Sequence, residues 1–182
     1  MRKPESSSLI NPEKIKNIKM LILDVDGILT NCQIWYDSSG EWRRTFSIRD
    51  GVGIKQLIES GYQLGIITGS KSQDIRARAE VLGFQHFYEG ALNKIPAYEQ
   101  IKDKTKLDDS EIAYMGDDFF DIPLLDKVGF AATVPDAMEQ VFPHVHYITK
   151  RPAGNGAVRE VCDFIAQFGA LAEHQGDMKG PK

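Results

Sequence analysis

A chain of 182 residues with a formal net charge of −4 and 42% hydrophobic residues can build one domain with a real core, and is short for two. That charge leaves no footprint for nucleic acid, and the apolar runs are strand-sized and broken by charges, which excludes a membrane span. The N-terminal stretch from Met1 to Ser8 lacks the apolar centre of a secretory signal, and Cys32 and Cys162 stand in no metal-like spacing, so reduced thiols in a cytoplasmic protein are expected.

Residues 1–13 and 173–182 are polar and aperiodic and read as flexible ends around a single domain over 14–172. Met20 to Leu23 is a strand that ends abruptly in Asp24-Val25-Asp26-Gly27. Two carboxylates so close to a strand end are delivered to the rim where α/β sheets bind ligands, provided the turn at Gly27 brings them to one side. Gln33 to Tyr36 and Glu41 to Phe46 flank Asp37-Ser38-Ser39-Gly40 and read as a hairpin over about 32–46. Gly51 to Ser60 carries Val52, Ile54, Leu57 and Ile58 on one helical face, with Gly61 as its stop. Strand Gln63–Thr68, helix Ser72–Leu82, strand Gln85–Tyr88 and a helix through Pro96 to Ile101 follow. Strand Glu111–Met115, a short helix Pro123–Val128, weaker strands Phe130–Thr133 and Tyr147–Ile148, and an amphipathic helix Val158–Phe168 complete the chain. This alternation predicts an α/β fold: a Rossmann-like open parallel sheet with helices on both faces.

Four sites fall immediately after a strand or at the start of the next helix: Asp24/Asp26, Thr68-Gly69, Lys94, and Asp117/Asp118 after Gly116. Each alone has an ordinary structural reading as a cap, a surface charge or a turn; their shared placement on one rim does not. His144 and His146 sit two apart, a conceivable zinc pair on a strand, but no third ligand accompanies them and structural roles are preferred. Met115 beside the acidic turn reads as core.

In this combination the chain resembles the haloacid dehalogenase superfamily of phosphotransferases, whose motifs match in order. Asp24 to Thr30, Arg49-Asp50-Gly51, Ile67-Thr68-Gly69, Gly90 to Lys94, Gly116-Asp117-Asp118 with Asp121, and Gly154 to Glu160 resemble the small, capless 3-deoxy-D-manno-octulosonate 8-phosphate phosphatase family. The resemblance implies a phosphoric monoester hydrolase of bacterial cell-envelope (lipopolysaccharide) biosynthesis. Such a reaction needs an in-line nucleophile, neutralisation of the phosphoryl oxygens and a proton for the leaving alkoxide. Asp24 is suited to attack phosphorus and become an aspartyl phosphate, and Asp26 to protonate the leaving group and then deprotonate water. By resemblance, Mg²⁺ is held by Asp24, the Asp26 carbonyl and Asp117; Asp118 and Asp121 support them and orient Lys94, and Lys94 and Thr68 bind the remaining phosphoryl oxygens.

The hairpin is too short to be a cap domain, and the interval between Thr68 and Lys94 leaves no room for one. The resemblance therefore implies a homotetramer in which a neighbouring subunit covers the site. Trp35, Tyr36 and Trp42 fit such an interface, the alternative being packing on their own domain. For the substrate it assigns Ser47, Ile48, Arg49, Asp50, Gly51, Lys55 and Arg78, besides Asp26, Ser70 and Lys94; Arg49 either forks onto a substrate carboxylate or pairs with Asp50. The segment Arg151 to Gly156 is placed to reach a neighbouring site. Two positions depart from the pattern: Ser70 stands where the family pattern has Arg, and Ala153-Gly154 replaces a double glycine. Reaction class is untouched by either, but a nine-carbon ulosonate 9-phosphate or another small sugar phosphate remains a rival substrate. A non-catalytic assembly module and a phosphorylated receiver domain are rivals of another kind.

Overall fold

The computed structural model describes residues 12–172; the segments 1–11 and 173–182, which hold almost all of the two expected flexible ends, lie outside the described residues. A 3₁₀ turn over Pro12–Lys14 starts the described chain and leads into buried Ile15 and Ile18. The elements then run β1 (Met20–Leu23), β2 (Trp35–Tyr36), β3 (Trp42–Arg43), α1 (Ile48–Glu59), β4 (Gln63–Ile67), α2 (Gln73–Leu82), β5 (His86–Tyr88) and α3 (Ile95–Thr105). They continue through β6 (Ile112–Met115), α4 (Ile122–Leu125), β7 (Phe130–Thr133), β8 (Tyr147–Ile148) and α5 (Ala157–Phe168). Among the described residues no helix is long and apolar enough to cross a membrane.

Six strands form one parallel sheet in the order β5-β4-β1-β6-β7-β8. The two-residue period of a strand sorts its side chains between two cores. Leu21, Leu23, Leu64, Ile66, Ala113 and Met115 join Ile54, Leu57, Ile75, Val158 and Ile165 of α1, α2 and α5 on one face. Met20, Ile22, Ile67, Ile112 and Tyr114 join Tyr98, Ile101, Leu124 and Leu125 of α3 and α4 on the other. Met115 is core, as expected.

The strand order reverses at β1: the chain leaves it for β4 on one side and later returns to β6 on the other. A crevice opens at such a switch point beyond the strands' carboxyl ends. Between β1 and α1 only the hairpin β2–β3 intervenes, with Trp35 opposite Arg43 and Tyr36 opposite Trp42. Asp37 closes its turn where expected, accepting from the Ser39 and Glu41 amides at 2.8 and 3.1 Å and from Arg43 Nε at 2.6 Å, but the arms are shorter than expected and pair over Trp35–Tyr36 and Trp42–Arg43, next to the turn.

Several boundaries differ from the sequence expectation. Helix α1 starts at Ile48, three residues before Gly51, because the Ser47 hydroxyl caps the Asp50 amide; the first turn buries little, so periodicity does not reveal it. Helix α3 continues to Thr105, and the expected Pro123–Val128 helix contracts to a single turn at α4. An unforeseen 3₁₀ segment over Glu139–His144 ends on the first histidine and leaves the second beyond it: His144 Nδ1 meets Asp126 at 2.7 Å, and His146 Nδ1 accepts from the Ala131 amide at 2.9 Å. The pair does not share a strand face, and both histidines have structural partners.

Candidate active site

The β1 ladder continues one residue past the strand, where the Asp24 amide donates to the Met115 carbonyl at 3.0 Å. The chain then coils back on itself: the amides of Ile28, Leu29 and Thr30 all donate to the Val25 carbonyl. Gly27 takes a left-handed φ of +88°, and a Cβ there would run into the Asp117 carboxylate, so the turn requires glycine on both counts. Asp24 and Asp26 are thereby set on one rim.

The other strand ends bring the remaining groups. Thr68, 1% exposed, follows β4, and its hydroxyl accepts from the Ser70 amide. Lys94, 5% exposed, sits at the head of α3 and places Nζ 2.9 Å from Asp24 Oδ1, 2.5 Å from Asp121 Oδ1 and 3.0 Å from the Tyr114 hydroxyl. After β6, Gly116 passes so close to Asp121 that a Cβ would overlap its carboxyl group. Asp121 fills both its oxygens: Oδ1 takes Lys94 and the Tyr114 hydroxyl, each at 2.5 Å, and Oδ2 takes the amides of Asp117 and Asp118 at 2.9 and 3.0 Å. Asp118 caps the next turn through the Phe119 amide.

Asp24, Asp26, Thr68, Ser70, Lys94, Asp117, Asp118 and Asp121 line one cavity of about 330 Å³, with Cys32, Gly69, Leu92 and Phe120 completing the wall. The other residues assigned to substrate lie outside it. Asp50 is 1% exposed, and its two oxygens accept from the Gly156 and Arg159 amides, tying α1 to the start of α5. That arrangement, not a pair with Arg49, occupies its charge. Arg78 donates to the Ser47 carbonyl at 2.9 Å and packs against Gly51. Ile48, Arg49 and Lys55 are exposed on α1, away from the cavity of their own chain.

Two groups in the site carry no motif. Tyr114, fully buried, bridges Lys94 and Asp121 from the middle of β6. Arg44 follows β3 and forks onto Asp26, Nε to Oδ1 at 2.6 Å and Nη2 to Oδ2 at 3.0 Å. Strand alternation was the available signal: Arg43 and Arg44 are neighbours and so point to opposite faces, one to Asp37 on the hairpin, the other into the site.

The electrostatics suit a divalent cation. Burial, opposed by Lys94 and reinforced by Asp121, raises the Asp24 pKa to about 7. Burial and the charges of Asp24 and Asp121 raise that of Asp117 to about 8, and Asp117 Oδ1 is buried with no hydrogen-bond partner. Carboxylate oxygens of Asp24, Asp117 and Asp121 lie within 4.8 Å of one another. With Asp121 saturated by donors, Asp24 and Asp117 are the acidic groups free to take a hard, oxygen-seeking ion such as Mg²⁺. For Asp26, burial disfavours charge, but the hydrogen bonds of Arg44 and Ser70 and the charge of Arg44 outweigh it and lower the pKa.

A pH dependence follows. With pKa values raised from 3.8 to about 7 and about 8, the folded chain holds these two protons more tightly than the unfolded chain. Their stabilising contribution is therefore present below pH 4 and lost as pH rises through 7 to 8 in the metal-free protein. Mg²⁺ competes with those protons. The gain in Tm on adding Mg²⁺ is expected to be larger at about pH 8 than at about pH 5.5 in differential scanning calorimetry. Equal gains at the two values would show that neither carboxylate meets the ion.

A family profile described as haloacid dehalogenase-like hydrolase matches residues 86–161. The 3-deoxy-D-manno-octulosonate 8-phosphate phosphatase KdsC of Escherichia coli (strain K12) is 40% identical over 175 residues, 95% of this chain and 92% of that protein. Among solved structures, the 3-deoxy-D-manno-octulosonate 8-phosphate phosphatase from Yersinia pestis aligns with a TM-score of 0.85 at 38% identity, covering 91% of this chain and 88% of that one. The corresponding phosphatase from Moraxella catarrhalis, solved in complex with a magnesium ion, a phosphate ion and a KDO molecule, aligns with a TM-score of 0.85 at 39% identity, covering 90% and 94%.

Proposed function

Since the chain belongs to the 3-deoxy-D-manno-octulosonate 8-phosphate phosphatase family of haloacid dehalogenase-like hydrolases, we propose that it hydrolyses that sugar-acid phosphate to the free sugar acid and phosphate, using Mg²⁺. The observation that carries this reading is the meeting of Asp24, Asp26, Thr68, Lys94 and Asp117, from three strand ends and the head of α3, in one cavity.

Asp24 is the nucleophile. One of its oxygens forms a bond to phosphorus, the bond from phosphorus to the sugar oxygen breaks, and the electron pair leaves with that oxygen. Asp26 is an anion in the free site because, against burial, Arg44 and Ser70 lower its pKa. It takes up a proton as the substrate's phosphate brings negative charge beside it, passes that proton to the departing oxygen, and later accepts one from the water that attacks the aspartyl phosphate. Lys94 and the Thr68 hydroxyl hold phosphoryl oxygens, and Asp121 with Tyr114 fixes the Lys94 ammonium. Asp24, the Asp26 carbonyl and Asp117, with Asp118 beside them, would hold Mg²⁺, which would supply the charge that offsets the repulsion between an anionic nucleophile and an anionic ester.

The cavity is open to water where larger relatives would carry a cap, and the hairpin beside it exposes Trp35, Tyr36 and Trp42 by 49, 62 and 54%. We propose that a homotetramer covers both. In that assembly Arg49 and Lys55, exposed on α1, face a neighbour's substrate, whereas Asp50, Gly51 and Arg78 hold the α1–α2–α5 corner in place. The two free cysteines support a reducing, cytoplasmic setting.

Phosphate release from a panel of eight- and nine-carbon ulosonate phosphates and neutral sugar phosphates tests the reading. Turnover is expected with the eight-carbon ester, lost on chelation and restored by Mg²⁺, from a species that sediments as a tetramer. A preference for a nine-carbon ester would reassign the substrate; no turnover with any ester would favour an assembly module.

A further inference from the structure

The Arg44 side chain is 7% exposed, yet it belongs to a connecting segment that contributes no strand to the main sheet. Its guanidinium is held from two sides. On one side, Nη1 donates to Ser72 Oγ at 3.0 Å and lies 3.4 Å from Asp74 Oδ1. Asp74 is itself pinned at the start of α2, where its Oδ1 accepts from Ser72 Oγ at 2.5 Å and from the Ile75 amide at 2.8 Å. On the other side, Nε and Nη2 fork onto the two oxygens of Asp26, and Nη2 also reaches Ser70 Oγ at 3.1 Å. Ser70 Oγ in turn donates to Asp26 Oδ2 at 2.7 Å. The first turn of α2 thus anchors a cation whose free edge grips one carboxylate.

Resting on the mechanism above, we infer that Arg44 is the positioning residue for the acid–base carboxylate of Asp26. The Asp26 side chain is 32% exposed and rotates freely unless something fixes it. A carboxyl group that must meet the sugar oxygen at hydrogen-bond distance loses its value if it points elsewhere. A planar fork fixes the carboxylate plane as well as its place, which a single ammonium does not. It also neutralises the anion that Asp26 becomes once its proton has passed to the departing sugar oxygen. Among the described contacts of Asp26, the long Thr30 bond at 3.5 Å and the Ser70 bond are the ones a leaving oxygen displaces, and the fork stays in place.

The test is a double-mutant cycle between Arg44→Met and Asp26→Asn, read as kcat and KM on whichever ester of the panel the wild type turns over fastest. A wrong substrate assignment then changes the panel and not the cycle. Arg44→Met is expected to lower kcat about 10²-fold with KM within about 3-fold, and Asp26→Asn about 10³-fold. The double variant is expected to be no slower than Asp26→Asn alone, because a residue that acts through Asp26 has nothing left to position. In Ser70→Arg/Arg44→Met a guanidinium approaches the same carboxylate from the β4 side, and kcat should recover at least about 10-fold over Arg44→Met. Losses that multiply in the cycle, as general damage to the fold would give, overturn the inference. So does an Arg44→Met enzyme with wild-type kcat.

Discussion

Asp24→Asn should reduce sugar-phosphate turnover by at least about 10⁴-fold and at the same time make the metal-free protein more stable at about pH 8. Both effects have one origin. Asp24 is 8% exposed and shares its surroundings with Asp117 and Asp121, against which the described residues set the ammonium of Lys94. Its charge is needed to attack phosphorus and is unfavourable until a cation or a phosphoryl group arrives, which is what a pKa raised to about 7 by burial expresses. Asparagine keeps the shape and removes the charge. The amide cannot attack, and the buried cluster loses one of its excess negative charges. Single-turnover kinetics and thermal unfolding in EDTA, on the same preparation, measure the two effects. Near-normal turnover would move the nucleophile to another residue; a fall in Tm in EDTA would mean that the charge of Asp24 is compensated in the resting protein.

What could be foreseen here follows a physical line. Asp24, Asp26, Thr68, Lys94 and Asp117 lie where a strand ends or the next helix begins, and there residue type is narrowly constrained: Gly27 must be left-handed, and Gly116 must pass against Asp121. Constraint of that kind leaves a readable pattern. Tyr114 left none, because a tyrosine between Ala113 and Met115 in an apolar strand looks like core, and only the fold shows its hydroxyl between Lys94 and Asp121. Arg44 was hidden for a different reason. Its partners Asp26 and Ser70 follow β1 and β4 and Asp74 lies in the first turn of α2, and their meeting depends on how the segment after the hairpin folds over the carboxyl ends of those strands. The early start of α1 and the turn over Glu139–His144 depend on a cap and a local 3₁₀ path, neither of which has a hydrophobic period. Asp50 illustrates the converse. It lies in a matching motif, but its oxygens hold two backbone amides 106 and 109 residues away, a contact that tertiary structure alone reveals.

Lys94→Met is the second large effect, and it separates catalysis from stability in the opposite direction. Among the described residues Lys94 is the cation that pairs with Asp24 and Asp121, and burial works against its charge, yet the two carboxylates it touches hold its pKa above the usual lysine value. Methionine fills nearly the same volume without the charge, leaving the Asp121 carboxylate buried at 1% exposure with Tyr114 and two amides as its donors. Removing one partner of a buried pair costs about 3–5 kcal/mol, and losing a cation aimed at phosphoryl oxygens lowers kcat by about 10²–10³-fold. Adding Asp121→Asn should return part of the stability, because the stranded charge goes with it, and return none of the activity, because nothing then neutralises the phosphoryl oxygens. Urea unfolding alongside kcat separates these outcomes. A Lys94→Met protein within about 1 kcal/mol of wild type would mean that Tyr114 and the backbone amides already balance Asp121. If turnover also persisted, Lys94 would be a bystander at the head of α3, and phosphoryl neutralisation would fall to the metal alone.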